Sequence, residues 1–163
     1  AMTPVGIGMS ATLALPVSSG ELRITSKELN VQPSLDYNFL SEPFDRQRLR
    51  HAVRLCLQLA EQGALKDFTR DRLEPTDDDL TSDRALDDWM LRVVNSHSHI
   101  ACTCRMGSAS DPMAVVDQYG RVHGLESLRV GDASIMPDCI RANTNVTTIM
   151  IGERIADFMR QGS

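Results

Sequence analysis

The sequence predicts an α+β chain, and three patterns carry that expectation. Apolar and polar residues alternate near the N-terminus, apolar residues recur at helical spacing around Leu49 and again around Met90, and short β-like runs broken by tight turns precede a last helix.

The first strands are expected within "ATLALPVSSGELRITS". Leu13, Leu15 and Val17 alternate, Ser18, Ser19 and Gly20 make a turn, and Leu22 and Ile24 then alternate with Arg23 and Thr25. In "NVQPSLDYNFLS", Pro33 predicts an edge or irregular strand, because proline donates nothing to a ladder. Together these runs predict an antiparallel meander. The clearest helix follows: Ser41 can cap it, Pro43 suits its first turn, Leu49, Val53, Cys56, Leu57 and Ala60 form its stripe, and Gly63 stops it. His51, between Arg50 and Arg54, reads as a surface residue.

Asp77, Asp78 and Asp79 resemble half of a calcium loop, but the glycine and terminal glutamate of that pattern are missing, so an acidic capping turn is expected. It leads into a second helix with the stripe Leu86, Trp89, Met90 and Val93. Farther on, Val115 and Val116 before "DQYG", Val122 before "HGLES", and Leu128 and Val130 predict three short strands, with His123 in an exposed turn. The helix over residues 145–160 takes Thr144 or Asn145 as N-cap, with Val146, Ile149, Met150, Ile155 and Met159 as its apolar face. Its first N–H groups and the positive end of its dipole can meet a developing negative charge.

Composition narrows the function classes. The 163 residues are 42% hydrophobic and 24% charged, with a net charge of -5, so no basic surplus points to nucleic acid. The longest apolar run, "GIGMSATLALPV", is interrupted by Gly6, Gly8, Ser10, Thr12 and Pro16 and falls short of the ~20 residues that a spanning helix needs. Four cysteines without secretory spacing predict reduced thiols and a cytoplasmic setting.

The densest chemical signal is "HSHIACTCRMG", with His97, His99, Cys102 and Cys104 in eight positions. A metal module would use all four as ligands, although zinc sites usually space cysteines as C-x2-4-C and add a second cluster. A redox thiol pair would read C-x-x-C rather than C-x-C. An acid/base histidine is the third reading, supported by Asn143 and Asn145 at the start of the last helix. Between these segments lies "VGDASIMP". Asp132 there can accept from a ribose or ribityl hydroxyl at a strand end, or can serve as an ordinary turn residue.

The ordered set "HIACTCRMG", "VVDQYGRVHGLESLRVGDASIMP" and "NTNVTTIMIGERIADF" resembles the C-terminal part of the glucose-methanol-choline (GMC) flavoprotein oxidoreductases. "PVSSGELRITS" is similar to the P-x-S-x-G segment that opens that part, so the likeness covers nearly the whole chain. The sequence departs from the pattern at Ile100, where proline is usual. No G-x-G-x-x-G opens a Rossmann half here, since "GIGMSA" is followed by strand-like residues.

The resemblance implies the C-terminal GMC region, in which residues 1–95 supply the antiparallel β-sheet and helices of the substrate subdomain. Residues 96–163 then supply the active-site loop, the DASIMP segment and the strand and helix that complete the FAD-binding domain. His99 takes the place of the active-site histidine, and Asn145 that of its partner, in the Asn form similar to choline oxidases and dehydrogenases. Asp132, Ala133, Asn145 and Thr147 take FAD-contacting positions. The implied function is oxidation of a CH–OH donor to a carbonyl with FAD, on a small alcohol, with an N-terminal FAD-binding half as partner. By itself the chain is expected to hold no FAD, to be inactive, and to self-associate through the surface that meets that half. A metal-binding module, a non-catalytic GMC-like domain and an FAD-dependent lyase stand beside this reading.

Overall fold

Two three-residue strands, β1 (Glu21–Arg23) and β2 (Ser34–Asp36), form an antiparallel ribbon in the computed structural model, which describes residues 6–162. Leu22 faces Leu35 in its register, and β2 begins immediately after Pro33. The strand expected through Leu13, Leu15 and Val17 does not form. Its backbone groups are taken by side chains: the Val17 and Ser18 N–H groups donate to the Asp45 carboxylate at 2.9 and 2.7 Å, and the Leu15 carbonyl accepts from Arg48 Nη1 at 2.8 Å. The expected meander is therefore reduced to one ribbon.

Helix α1 (Pro43–Ala60) starts with proline at its first position, where the missing N–H costs nothing. Ser41 does not cap it; the Glu42 N–H donates instead to Ser18 Oγ at 3.1 Å. Nor does Gly63 simply end it, because the helix stops at Ala60 and Gly63 opens a further short turn, α2 (Gly63–Lys66). One 3₁₀ turn at Asp78–Leu80 precedes α3 (Asp83–Val93), which Ser82 caps by accepting from the Ala85 N–H at 3.1 Å. Leu49 and Val53 of α1 pack with Leu40, and with Leu86 and Met90 of α3, as the core here. Arg50 and Arg54 reach Asp87 and Asp83 across the two helices at 2.7 and 2.6 Å, which leaves His51 exposed as expected. Val93, expected in the stripe of α3, is exposed.

A boundary between Asn95 and Ser96 divides the chain into two units, and the second has its own core of Val116, Ile135 and Ile155. The three expected strands appear only as single bridges, Met106 with Val116, Val116 with Val122, and Arg121 with Arg129. The turns between them are too tight for longer pairing. Asp117 Oδ1 accepts from the Tyr119 and Arg121 N–H groups at 2.8 and 3.0 Å, and Gly120 takes φ +72°. A Cβ on Gly120 would lie 2.6 Å from the Val130 carbonyl oxygen and 2.7 Å from Ile155 Cδ1. Gly120→Ala is therefore expected to cost about 2–3 kcal/mol through left-handed strain and overpacking, read as a lower urea midpoint at unchanged slope.

Helix α4 (Asn145–Gln161) packs on this core through Ile151, Ile155 and Phe158. Of its expected apolar face, only Ile155 is buried, while Val146, Ile149, Met150 and Met159 are exposed. The helical period was legible, but its phase depended on which side the core occupies. No helix among the described residues is long and apolar enough to cross a membrane.

Candidate active site

The histidine and cysteine loop is stitched to the DASIMP segment by backbone hydrogen bonds. The Cys102, Cys104 and Met106 N–H groups donate to the Ala133, Ser134 and Ile135 carbonyls at 3.3, 2.9 and 2.8 Å. Two motifs some thirty residues apart in sequence thus run side by side. Ser98 and Cys102, on either side of His99, hold left-handed φ values of +60° and +71°. For residues with a Cβ such angles cost about 1–3 kcal/mol each, and they concentrate where a loop must aim a side chain.

His99 is half-buried, and its Nδ1 lies 3.0 Å from Thr144 Oγ1. This contact brings the imidazole to the residue immediately before Asn145, so the structure joins the histidine and the start of α4. Nε2 has no hydrogen-bond partner among the described residues. His97 is exposed, with its ring centroid 5.6 Å from that of His99.

Asn145 is exposed at the first position of α4, and its N–H donates to Asn143 Oδ1 at 3.0 Å. Asn143 thereby performs the capping expected of Thr144 or Asn145. Thr147 is half-buried in the first turn. Its N–H and that of Val146 have no acceptor among the described residues, as the geometry of a helix start requires. Asp132 caps the 3₁₀ turn Ala133–Ile135, Oδ1 accepting from the Ser134 N–H and hydroxyl at 2.8 and 2.5 Å. Its Oδ2 has no partner among the described residues, so the carboxylate keeps one oxygen for another donor while acting as a turn residue. Ala133 is half-buried, its carbonyl engaged by Cys102.

Among the described residues, no group of three or more His, Cys, Asp or Glu side chains is arranged to hold a metal ion. All four cysteines are free. Burial pushes the Cys102 thiol up, Cys139 and Asp138 carry it the same way, and Arg105 opposes them, so Cys102 stays a protonated thiol at neutral pH. His123, expected in an exposed turn, is half-buried with Nε2 3.1 Å from the Gly107 carbonyl. It braces the end of the loop.

The "GMC oxidoreductase" family model matches residues 16–152, well over half of the chain. The chain belongs to the GMC oxidoreductase family. Among GMC relatives, it is 46% identical over 143 residues to the oxygen-dependent choline dehydrogenase of Cronobacter sakazakii, covering 88% of this chain and 25% of that protein. It is 39% identical over 142 residues to the same-named protein of Photobacterium profundum, covering 87% and 25%. Pyridoxine 4-oxidase from Mesorbium loti shares the fold at a TM-score of 0.80 and 33% identity, over 91% of this chain and 28% of that one. A formate oxidase from Aspergillus oryzae RIB40, solved to examine FAD modification, matches at a TM-score of 0.80 and 27% identity, over 92% and 26%. The chain spans about a quarter of the length of the GMC proteins it matches.

The contact of Thr144 with His99 is the part of the candidate site that sequence reasoning missed. Thr144 was legible only as a cap, and its partner stands 45 positions earlier.

Proposed function

We infer that this chain is the C-terminal catalytic and substrate part of an FAD-dependent oxidoreductase that oxidises a small CH–OH donor to a carbonyl. The observation that carries the reading is the His99 to Thr144 contact, which sets an imidazole with a free Nε2 beside Asn145 and the positive end of α4. FAD, when bound, supplies the hydride acceptor.

The chain's own residues divide the remaining work. His99 Nε2 takes or polarises the hydroxyl proton. The Asn145 side chain hydrogen-bonds the same oxygen and orients it. The Val146 and Thr147 N–H groups, at the end of a 17-residue helix dipole, suit an oxygen that gains negative charge. Asp132 Oδ2 suits a hydroxyl donor of the cofactor, and Ala133 beside it admits a close approach. The donors and acceptors present therefore fit FAD, with the N-terminal FAD-binding half as partner. The exposed Val146, Ile149 and Met150 of α4 offer that half, or a second copy of the isolated chain, an apolar surface. The substrate subdomain corresponds to residues 1–95 and the FAD-completing part to residues 96–163.

The test uses the full polypeptide that carries this chain, loaded with FAD and mixed anaerobically with a panel of alcohols that includes choline. The oxidised-flavin absorbance is expected to bleach with at least one alcohol. An FAD-retaining protein that none of them reduces would mean a lyase or a non-catalytic domain.

A further inference from the structure

We propose that His97 and His99 form a two-imidazole site for a divalent transition-metal ion such as zinc, and that an ion held there blocks the oxidation by occupying His99 Nε2. The site itself stands on the geometry of the two rings, whereas the inhibition rests on the acid/base reading of His99.

The two ring centroids lie 5.6 Å apart, with the planes tilted by 51°. Two imidazoles that share one ion at ~2.0–2.1 Å from a nitrogen of each have ring centres about 5.2–5.5 Å apart at tetrahedral to trigonal angles. The pair therefore already stands at the separation that a shared ion needs. The turn that brings the rings together is held at Ser98, whose φ is +60° and whose N–H donates to Ser96 Oγ at 3.0 Å. His97 is exposed, and neither of its ring nitrogens has a hydrogen-bond partner among the described residues, so its ring is free to turn either one toward the ion.

His99 is the fixed half of the site. Its Nδ1 is engaged 3.0 Å from Thr144 Oγ1, and Thr144 is only 6% exposed, so the ion's place falls to Nε2. A threonine hydroxyl donates or accepts and serves the ring in either tautomer, so an ion at Nε2 finds the lone pair free or displaces one proton. Imidazole suits zinc, nickel and copper, whereas magnesium and calcium take oxygen ligands. No further side chain joins the pair, because no group of three or more His, Cys, Asp or Glu is arranged to hold a metal among the described residues. Water completes the coordination. Two protein ligands, against the four of a structural zinc site, make a site that empties readily, as reversible inhibition requires.

The test adds zinc sulfate to the FAD-loaded full-length enzyme and reads the metal bound by equilibrium dialysis alongside anaerobic flavin reduction by an alcohol. The unsubstituted protein is expected to bind one more equivalent of zinc than His97→Ala. At that occupancy its flavin should be reduced about 10² more slowly, the range typical of losing a general base. EDTA should restore the rate, and magnesium should leave it unchanged. His97→Ala should keep its zinc-free rate within a few-fold and need at least ~10-fold more zinc for the same inhibition, because a direct ligand contributes no less than the ~10–100-fold lost with an outer-shell partner. Equal zinc binding by the two proteins overturns the site, and so does equal inhibition. A His97-dependent equivalent that leaves reduction unchanged overturns the inhibition and, with it, the acid/base role of His99. Zinc-free protein that no alcohol reduces defeats the functional reading instead, and dialysis still decides the site.

Discussion

Replacing His99 with alanine is expected to slow flavin reduction by about 10² or more in the FAD-loaded full-length enzyme, the range typical of losing a general base. The loss should appear in single-turnover reduction by stopped-flow absorbance, because proton removal belongs to the chemical step rather than to product release. His97→Ala is the internal control. That ring is exposed and 5.6 Å from His99 by centroids, with no hydrogen bond to Thr144, so its removal should change the rate only a few-fold. Equal losses in the two variants would return the loop to a joint-ligand reading. An unchanged rate in His99→Ala would remove the residue from the chemistry.

The largest expected loss of stability is at Asp45. Its carboxylate is fully buried and accepts from two backbone N–H groups, those of Val17 and Ser18, with Arg48 Nη1 3.4 Å away. Asp45→Ala removes the acceptor of both amides, which lie in a part-exposed segment, and each hydrogen bond to a charged group contributes about 1.5–3 kcal/mol. A loss of about 3–5 kcal/mol is therefore expected, measured by urea unfolding. Asp45→Asn keeps one acceptor oxygen and should lose less.

The same carboxylate gives a pH dependence with a definite sign. Burial alone would push the Asp45 carboxyl up, but the hydrogen bonds from Ser18 and Val17 and the charge of Arg48 outweigh it, holding the group below its ordinary value. A group depressed by folding contributes its stability above the unfolded value of ~3.9 and loses it as pH falls through the lower folded value. Unfolding midpoints should therefore drop in the acid range below about pH 4, and Asp45→Ala should drop less over that interval.

Asp45 also explains why the first strand was misread. Alternation at Leu13, Leu15 and Val17 is a valid strand signal, yet a ladder needs free backbone groups, and those of Leu15, Val17 and Ser18 are held by Arg48 and Asp45, up to 33 residues away. The helices were legible because their hydrogen bonds are local. Pro43 and Ser82 mark their starts, and Leu49, Val53, Leu86 and Met90 mark the buried sides of α1 and α3. On α4 the period was right and the phase was not, because Ile151, Ile155 and Phe158 meet Val116 and Ile135, contacts that no local pattern encodes.

At the candidate site, order along the chain was enough to name the family and to single out His99, Asn145, Asp132, Ala133 and Thr147. The resemblance of the ordered motifs to a known family carries that much, and the five residues follow from it as candidates. Only tertiary structure decided that the cysteine loop lies along the DASIMP segment, that Asn143 rather than Thr144 takes the first amide of α4, and that the Thr144 hydroxyl turns to His99. The reason is physical: a side chain's hydrogen-bond partner depends on what burial brings within about 3 Å, and chain order does not contain that distance.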